Sequence, residues 1–211
     1  MIGETFRKYL EEAIGSENAL VAFSAFDRPA SVSVRLNPFK KSPMSFEGRP
    51  VGWSPYGLML EQRPQFTLDP LFHAGCYYVQ EASSMFIDYI LQQYVPRDSV
   101  VLDLCAAPGG KSTLLSHYLG DDGLLVSNEV VRSRVFILSE NIQKWGNGNT
   151  IVTHNYAKDF GNKLENLFDC ILVDAPCSGE GMFRKDAGAV QEWSTRNVNE
   201  CVARQCEILD E

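Results

Sequence analysis

Two short runs of this sequence contain residues whose types and spacing suit group-transfer chemistry. The first, from Val100 to Ser112, reads VVLDLCAAPGGKS: an apolar strand, a tight turn of small residues and the start of a helix. The turn is Cys105, Ala106, Ala107, Pro108, Gly109, Gly110 and Lys111. Small residues and glycines let a backbone approach a ligand closely at the carboxyl end of a strand, where open α/β sheets bind their ligands. Glu129 follows near the end of the next strand, roughly twenty residues on, where an acid can accept hydrogen bonds from both hydroxyls of an adenosine ribose. Together these features indicate a nucleoside-containing cofactor. The second run, DAPCSGEGMFRKD from Asp174 to Asp186, is a polar, glycine-containing loop that leaves another apolar strand. Beside a cofactor site, such a loop is where a substrate would be held.

Each run also has a plainer reading. GGKST resembles the end of a Walker A loop, but that pattern needs glycine where this chain has Cys105, and the loop is too short to wrap a triphosphate. The dinucleotide fingerprint G-x-G-x-x-G is also unmet. A merely tight strand-to-helix turn stays open for the first run. In the second, Cys177 taken alone reads as a small buried hydrophobe and Asp174 as a helix cap.

The elements that must position these runs follow from periodicity. Residues 4–14 read as an amphipathic helix with Phe6, Leu10 and Ile14 on one stripe. SVSVRLNPF alternates apolar and polar residues and closes at Asn37-Pro38, a strand with a turn, and GRPVGWSPYGLMLEQRP suits further short strands. Residues 1–75 are therefore expected to form a small α+β domain. Next, QEASSMFIDYILQQYV sets Met85, Phe86, Tyr89, Ile90 and Tyr94 at the helical period, and Pro96 stops it. Strand-like and helix-like segments then alternate: SVVLDLCA, GKSTLLSHYLG, LLVSNEV, VVRSRVFILSENIQKWG, NTIVTH, FDCILVDAP and a last helix from about Ala187. Wholly apolar strands alternating with helices imply a parallel sheet covered on both faces, and right-handed crossovers make residues 76–211 a Rossmann-like α/β core. CVARQCEILDE lies within a helix with no strand after it, so the core is expected to be incomplete at its carboxyl end, with ILVD as a sheet edge.

The 211 residues, 45% hydrophobic and 22% charged, suit a globular protein with a real core. The sequence has no run of eighteen apolar residues, and its first fifteen have charge at helical spacing instead of an apolar signal region. A cytoplasmic protein without membrane association is expected. Six cysteines without a CxxC pair, and only three histidines, argue against zinc and for reduced thiols. The net charge of −8 is unevenly spread, with +1 over residues 1–49 and −9 over the rest. That is a weak electrostatic footprint for nucleic acid.

Taken together, DLCAAPGGKS and DAPCSGEGMFRKD resemble the Sun-type (RsmF-like) RNA 5-methylcytosine methyltransferases, and SVSVRLNP with TLDPLFHAGCYYVQEASSM resembles the amino-terminal domain and linking helix of that family. The resemblance covers nearly the whole chain. It implies a Rossmann-like core that uses S-adenosylmethionine on a cytosine of ribosomal or transfer RNA, in a protein expected to be monomeric and metal-free. It assigns Cys105 to Lys111 to the cofactor loop and Glu129 to the ribose, with Arg134 a further cofactor-side candidate. Asp174 is placed between cofactor and base, Lys111 close to the reacting base, and Cys177 at the Pro-Cys thiol that resolves the covalent product. Tyr156 stands where the family often has an aspartate facing adenine, and an aromatic ring there would stack on the adenine. The family's nucleophile lies in a Thr-Cys element, and this sequence contains no Thr-Cys.

Carbon-5 of cytosine is a poor nucleophile, so the chemistry needs a thiolate to add at carbon-6, a group near ring nitrogen-3 to stabilise the developing charge, and a base for the carbon-5 proton. The target base must be unstacked. The resemblance gives the nitrogen-3 role to Asp174 and the release step to Cys177. A rival makes Cys177 itself the nucleophile, as DNA cytosine methyltransferases use a Pro-Cys thiol. Two other functions remain: a non-catalytic module that binds RNA or partners, and a methyltransferase for small molecules or proteins.

Overall fold

The computed structural model describes residues 2–40 and 46–211. They form two compact units, Met1–Ala30 with Pro176–Asp210, and Ser31–Ala175 with Glu211. The chain begins with helices α1 (Glu4–Ile14) and α2 (Ser16–Phe26). Phe6 of the expected α1 stripe is buried, whereas Ile14 is exposed. The second helix has no counterpart in the sequence reading.

The larger unit opens with an antiparallel sheet of β1 (Val32–Leu36), β2 (Gly48–Pro50), β3 (Gly57–Leu60) and β4 (Tyr77–Val79), in the order β2-β3-β1-β4. Between β3 and β4, Asp69 caps the short α3 (Pro70–His73) by accepting from the Leu71 N–H at 2.9 Å. Val34 packs with Phe66, Cys76 and Tyr77 on one side of the sheet. Ser33 and Arg35, the polar set of the β1 alternation, are buried too.

A second sheet follows, with α4 (Phe86–Tyr94), β5 (Val100–Asp103), α5 (Gly110–Leu119), β6 (Leu124–Asn128), α6 (Arg132–Trp145), β7 (Thr150–Thr153), α7 (Ala157–Lys163) and β8 (Cys170–Leu172). Its strands are all parallel in the order β7-β6-β5-β8, the Rossmann-like arrangement expected. Leu114, Leu115, Tyr118 and Leu119 of α5 pack on Val101 and Leu125, and Leu138 and Ile142 of α6 pack with Ala106, Ala107 and Val152. The two crossovers share one hand, so both helices lie on one face. The opposite row, Ile151, Val126, Leu102 and Ile171 in register, is buried at its centre but 51% exposed at Ile151 and 53% at Ile171. Only one face is covered along its full width among the described residues.

Helix α4 corrects the sequence reading in one respect. Met85 is buried, but Phe86, Tyr89, Ile90 and Tyr94 face solvent, and the inward residues are Asp88 and Leu91. Asp88 accepts a hydrogen bond from Ser54 Oγ at 2.8 Å.

The two sheets belong to one compact unit, and the antiparallel sheet runs to Val79, past the expected division between residues 1–75 and 76–211. Side-chain donors join them. Asn37 Nδ2 donates to the carbonyls of Gly75 and Trp145, each at 2.8 Å, and Lys40 Nζ donates to those of Ala74 and Lys144. Helix ends leave carbonyls without intrahelical partners, and here a neighbouring sheet supplies the donors for α6. Asn37→Ala leaves buried carbonyls unpaired and should destabilise this unit by about 2 kcal/mol in urea melts.

In the smaller unit the carboxyl segment forms α8 (Ala187–Glu192) and α9 (Thr195–Asp210). The single helix expected from Ala187 is broken at Trp193, which is extended and donates from Nε1 to Glu180 at 2.8 Å. Phe6, Ala19, Phe23 and Phe183 make this unit's core.

Candidate active site

The carboxyl ends of β5 and β8 lie side by side, because Asp103 pairs in parallel register with Leu172. The turn after β5 and the residues after β8 therefore share one rim, and Lys111 forms an ion pair with Asp174 across it. A cleft of about 190 Å³ opens there, lined by Cys105, Ala106, Ala107, Pro108, Gly110, Lys111 and Asp174 of the predicted set. Tyr78, Val79, Gln80, Glu81, Ser84 and Asp103 complete its wall.

The turn is held open by its neighbours. Gly109 sits at φ +112°, a conformation costly for a side chain, and a Cβ there would meet Leu138 Cδ1 at 3.2 Å. Its carbonyls are tied outward: Ala107 accepts from Arg134 Nη2 at 2.6 Å and Pro108 from Asn141 Nδ2 at 2.8 Å, both on α6. Asn128 does the same for the strand ends, donating to Leu104 and Asn155 carbonyls while accepting from Thr153 Oγ1 and the Asn155 N–H. The backbone on the cleft side thus faces a ligand with its geometry already set.

Glu129 is buried just beyond β6, accepting from the Val131 N–H at 2.8 Å and lying 3.5 Å from Arg134 Nη1. Arg134 therefore joins Glu129 to the turn. Neither residue lines the cleft itself. Tyr156 caps α7, where its backbone N–H donates to Asp159 Oδ2, and its side chain is 63% exposed. Cys177 is exposed and belongs to the smaller unit. In its loop, Ser178 and Trp193 donate to Glu180, and these bonds outweigh burial and hold the Glu180 carboxyl below its usual range.

Three residues of the cleft region were missed by sequence reasoning. Asp103 is fully buried; burial, against Ser112 and Lys111, pushes its carboxyl up to about 6. Oδ2 accepts from Ser112 Oγ at 2.6 Å, and Oδ1 has no partner. A buried acceptor without a donor is costly, and an acid ending an otherwise apolar strand was the available signal. The others, Gln80 and Arg35, gave no such signal. Burial, and then Asp103 and Glu129, push the Cys105 thiol up to about 11, which disfavours a thiolate in this part of the cleft wall.

An orphaned buried acid, an open turn of small residues and an ion-paired lysine fit a ligand that combines a nucleoside with an ammonium group. Among the described residues no cluster of histidine, cysteine or acid side chains can hold a metal ion, and no helix is long and apolar enough to cross a membrane.

Comparison with known proteins agrees with this geometry. The family described as 16S rRNA methyltransferase RsmB/F matches residues 74–211, and the N-terminal domain of 16S rRNA methyltransferase RsmF matches residues 2–82. The chain is 34% identical to a ribosomal RNA small subunit methyltransferase F from Pectobacterium atrosepticum over 98% of its length and 45% of that protein. It is 39% identical to the Aeromonas hydrophila protein of the same name over 87% of its length and 42% of that protein. It thus spans less than half the length of these curated relatives. Among solved structures, a methyltransferase homologue from Pyrococcus horikoshii superposes with a TM-score of 0.75 at 28% identity, covering 93% of this chain and 64% of that one. NSun6 from the same organism gives 0.80 at 16% identity, covering 98% and 78%, a likeness of fold.

Proposed function

The chain belongs to the 16S rRNA methyltransferase RsmB/F family, and we propose that the whole protein methylates carbon-5 of a cytosine in ribosomal RNA, with S-adenosylmethionine as donor, in the cytoplasm. The observation that carries this reading is the ion pair between Lys111, in the turn after β5, and Asp174, just after β8. S-adenosylmethionine, when bound, supplies an electrophilic methyl group. The chain's own residues do the rest. Asp103 accepts the amino-acid ammonium, the turn from Cys105 to Gly110 leaves room for the donor, and Glu129, ordered by Arg134, takes the ribose hydroxyls. Tyr156 stacks on the adenine. Asp174 hydrogen-bonds ring nitrogen-3 of the target cytosine, and Lys111 stays close to the reacting base.

Cys177 acts in release of the product. The thiolate that adds at carbon-6 belongs to the family's Thr-Cys element, absent from these 211 residues. The chain itself should bind cofactor weakly and not turn over. The test is transfer of labelled methyl groups to total RNA. No sustained turnover is expected from this chain. Sustained turnover that disappears in Cys177→Ala would make Cys177 the nucleophile and overturn the assignment.

A further inference from the structure

The cleft contains a second unpaired buried polar atom, of opposite character to the first. Gln80 is 7% exposed, follows β4 directly and lines the cleft. Its Oε1 accepts from Arg35 Nε at 2.8 Å, while its Nε2 has no partner. An amide can usually turn over to exchange oxygen for nitrogen. This one cannot, because turning would set an N–H₂ against the N–H of a guanidinium.

The guanidinium is itself immobile. Arg35 Nη2 donates to the Gly110 carbonyl at 3.1 Å and to Thr113 Oγ1 at 2.5 Å, and the group lies 4.4 Å over the Trp145 ring. Burial lowers Arg35 to about 9, against the pull of Asp88, so it stays charged near pH 7. Arg35 therefore determines which face of the Gln80 amide the cleft sees, and that face is a donor.

We propose that Gln80 is the fixed hydrogen-bond donor for the carboxylate of the cofactor's amino-acid end, and that Arg35 is the residue that positions it. The assignment rests on the S-adenosylmethionine reading above and sharpens it. Gln80 Nε2 would lie 3.6 Å from a Cβ built on Gly110, the first residue of the ten-residue α5. A helix amino end has free N–H groups and a partial positive charge that suit a carboxylate. The unpaired oxygen of Asp103 lies in the same cleft wall and suits the ammonium. Among the described residues that line the cleft, one unpaired donor and one unpaired acceptor match the two charges of an α-amino acid, and Arg35 Nη1, unpaired behind Gln80, adds positive charge on the carboxylate side. Both atoms lie shielded from bulk solvent in the cleft wall, so hydrogen bonds made to them would be dry.

The experiment compares two ligands by calorimetry on this chain: S-adenosylhomocysteine and 5′-methylthioadenosine, which lacks the amino acid. Wild type should bind the former more tightly. Gln80→Glu should weaken S-adenosylhomocysteine ten- to a hundredfold and leave methylthioadenosine within twofold, because only the first meets the new carboxylate. The same variant gains a charge pair with Arg35, so its melting temperature should not fall, unlike that of a residue with a merely structural role. Gln80→Met should weaken S-adenosylhomocysteine less than Gln80→Glu, and Arg35→Lys should weaken it without affecting methylthioadenosine. Equal losses for both ligands, or no loss, would overturn the proposal. If wild type binds neither ligand, the cofactor reading fails first and this assignment falls with it.

Discussion

An Asp103→Asn chain is expected to lose roughly a hundredfold of its affinity for S-adenosylhomocysteine while folding at least as stably as the parent near pH 7. The two effects have one cause. Burial raises the Asp103 carboxyl from 3.8 to about 6, so the folded state holds its proton more tightly than the unfolded chain does. Such a group favours the fold below the unfolded value, and that contribution is lost as pH rises through about 6. Asparagine carries no charge to desolvate, keeps an oxygen for Ser112, and should recover about 1–3 kcal/mol above pH 6. What it cannot do is neutralise a ligand ammonium. Affinity of the parent should therefore weaken as pH falls through about 6, and that of Asp103→Asn should stay level. Lys111, Asp174 and Glu129 also act on this carboxyl, so the midpoint belongs to the cluster as a whole. Calorimetric titration from pH 5 to 8, with urea melts at each pH, reads both arms. Unchanged affinity in Asp103→Asn would remove the ammonium from this site.

The second large effect concerns Gly75→Ala. Gly75 sits at φ +70°, a conformation that costs an alanine about 1–2 kcal/mol. A Cβ there would also lie 1.9 Å from the Lys144 carbonyl oxygen, backbone that cannot swing aside. The same place holds the hydrogen bonds from Asn37 and Lys40, so relief of the clash must part the antiparallel sheet from α6. The expected outcome is a loss of more than about 3 kcal/mol, with the parallel and antiparallel sheets failing in one transition. A denaturant midpoint unchanged from wild type would show that the junction yields freely.

Much of the rim was legible because it is written in local chemistry. The turn from Cys105 to Lys111 follows one short apolar strand and Asp174 follows another; their pairing as parallel neighbours then sets both at one rim without any side-chain detail. The α4 face was misread for a physical reason. A helix this short, with apolar residues at Phe86, Ile87, Tyr89, Ile90, Leu91 and Tyr94, has more than one plausible inward side, and the choice falls to the neighbouring α5. Arg35 was harder still. In an alternating strand an arginine signals the wet face, but this β1 is covered on both sides, and the partners that hold the side chain are 45 to 78 residues away. Pairings at that distance leave no periodic trace. The break at Trp193 was hidden likewise, since its indole finds Glu180 thirteen residues back.

A cation locked in a dry interior by oxygens from separate stretches of chain constrains inheritance as well as stability. A chimera that borrowed β1 from a distant relative with an apolar residue at position 35 would strand the Gln80 oxygen without its donor and leave the Gly110 carbonyl with Thr113 alone. Such a hybrid should fold less stably than either parent, so a working exchange would have to move the amino-terminal sheet and the glycine turn together.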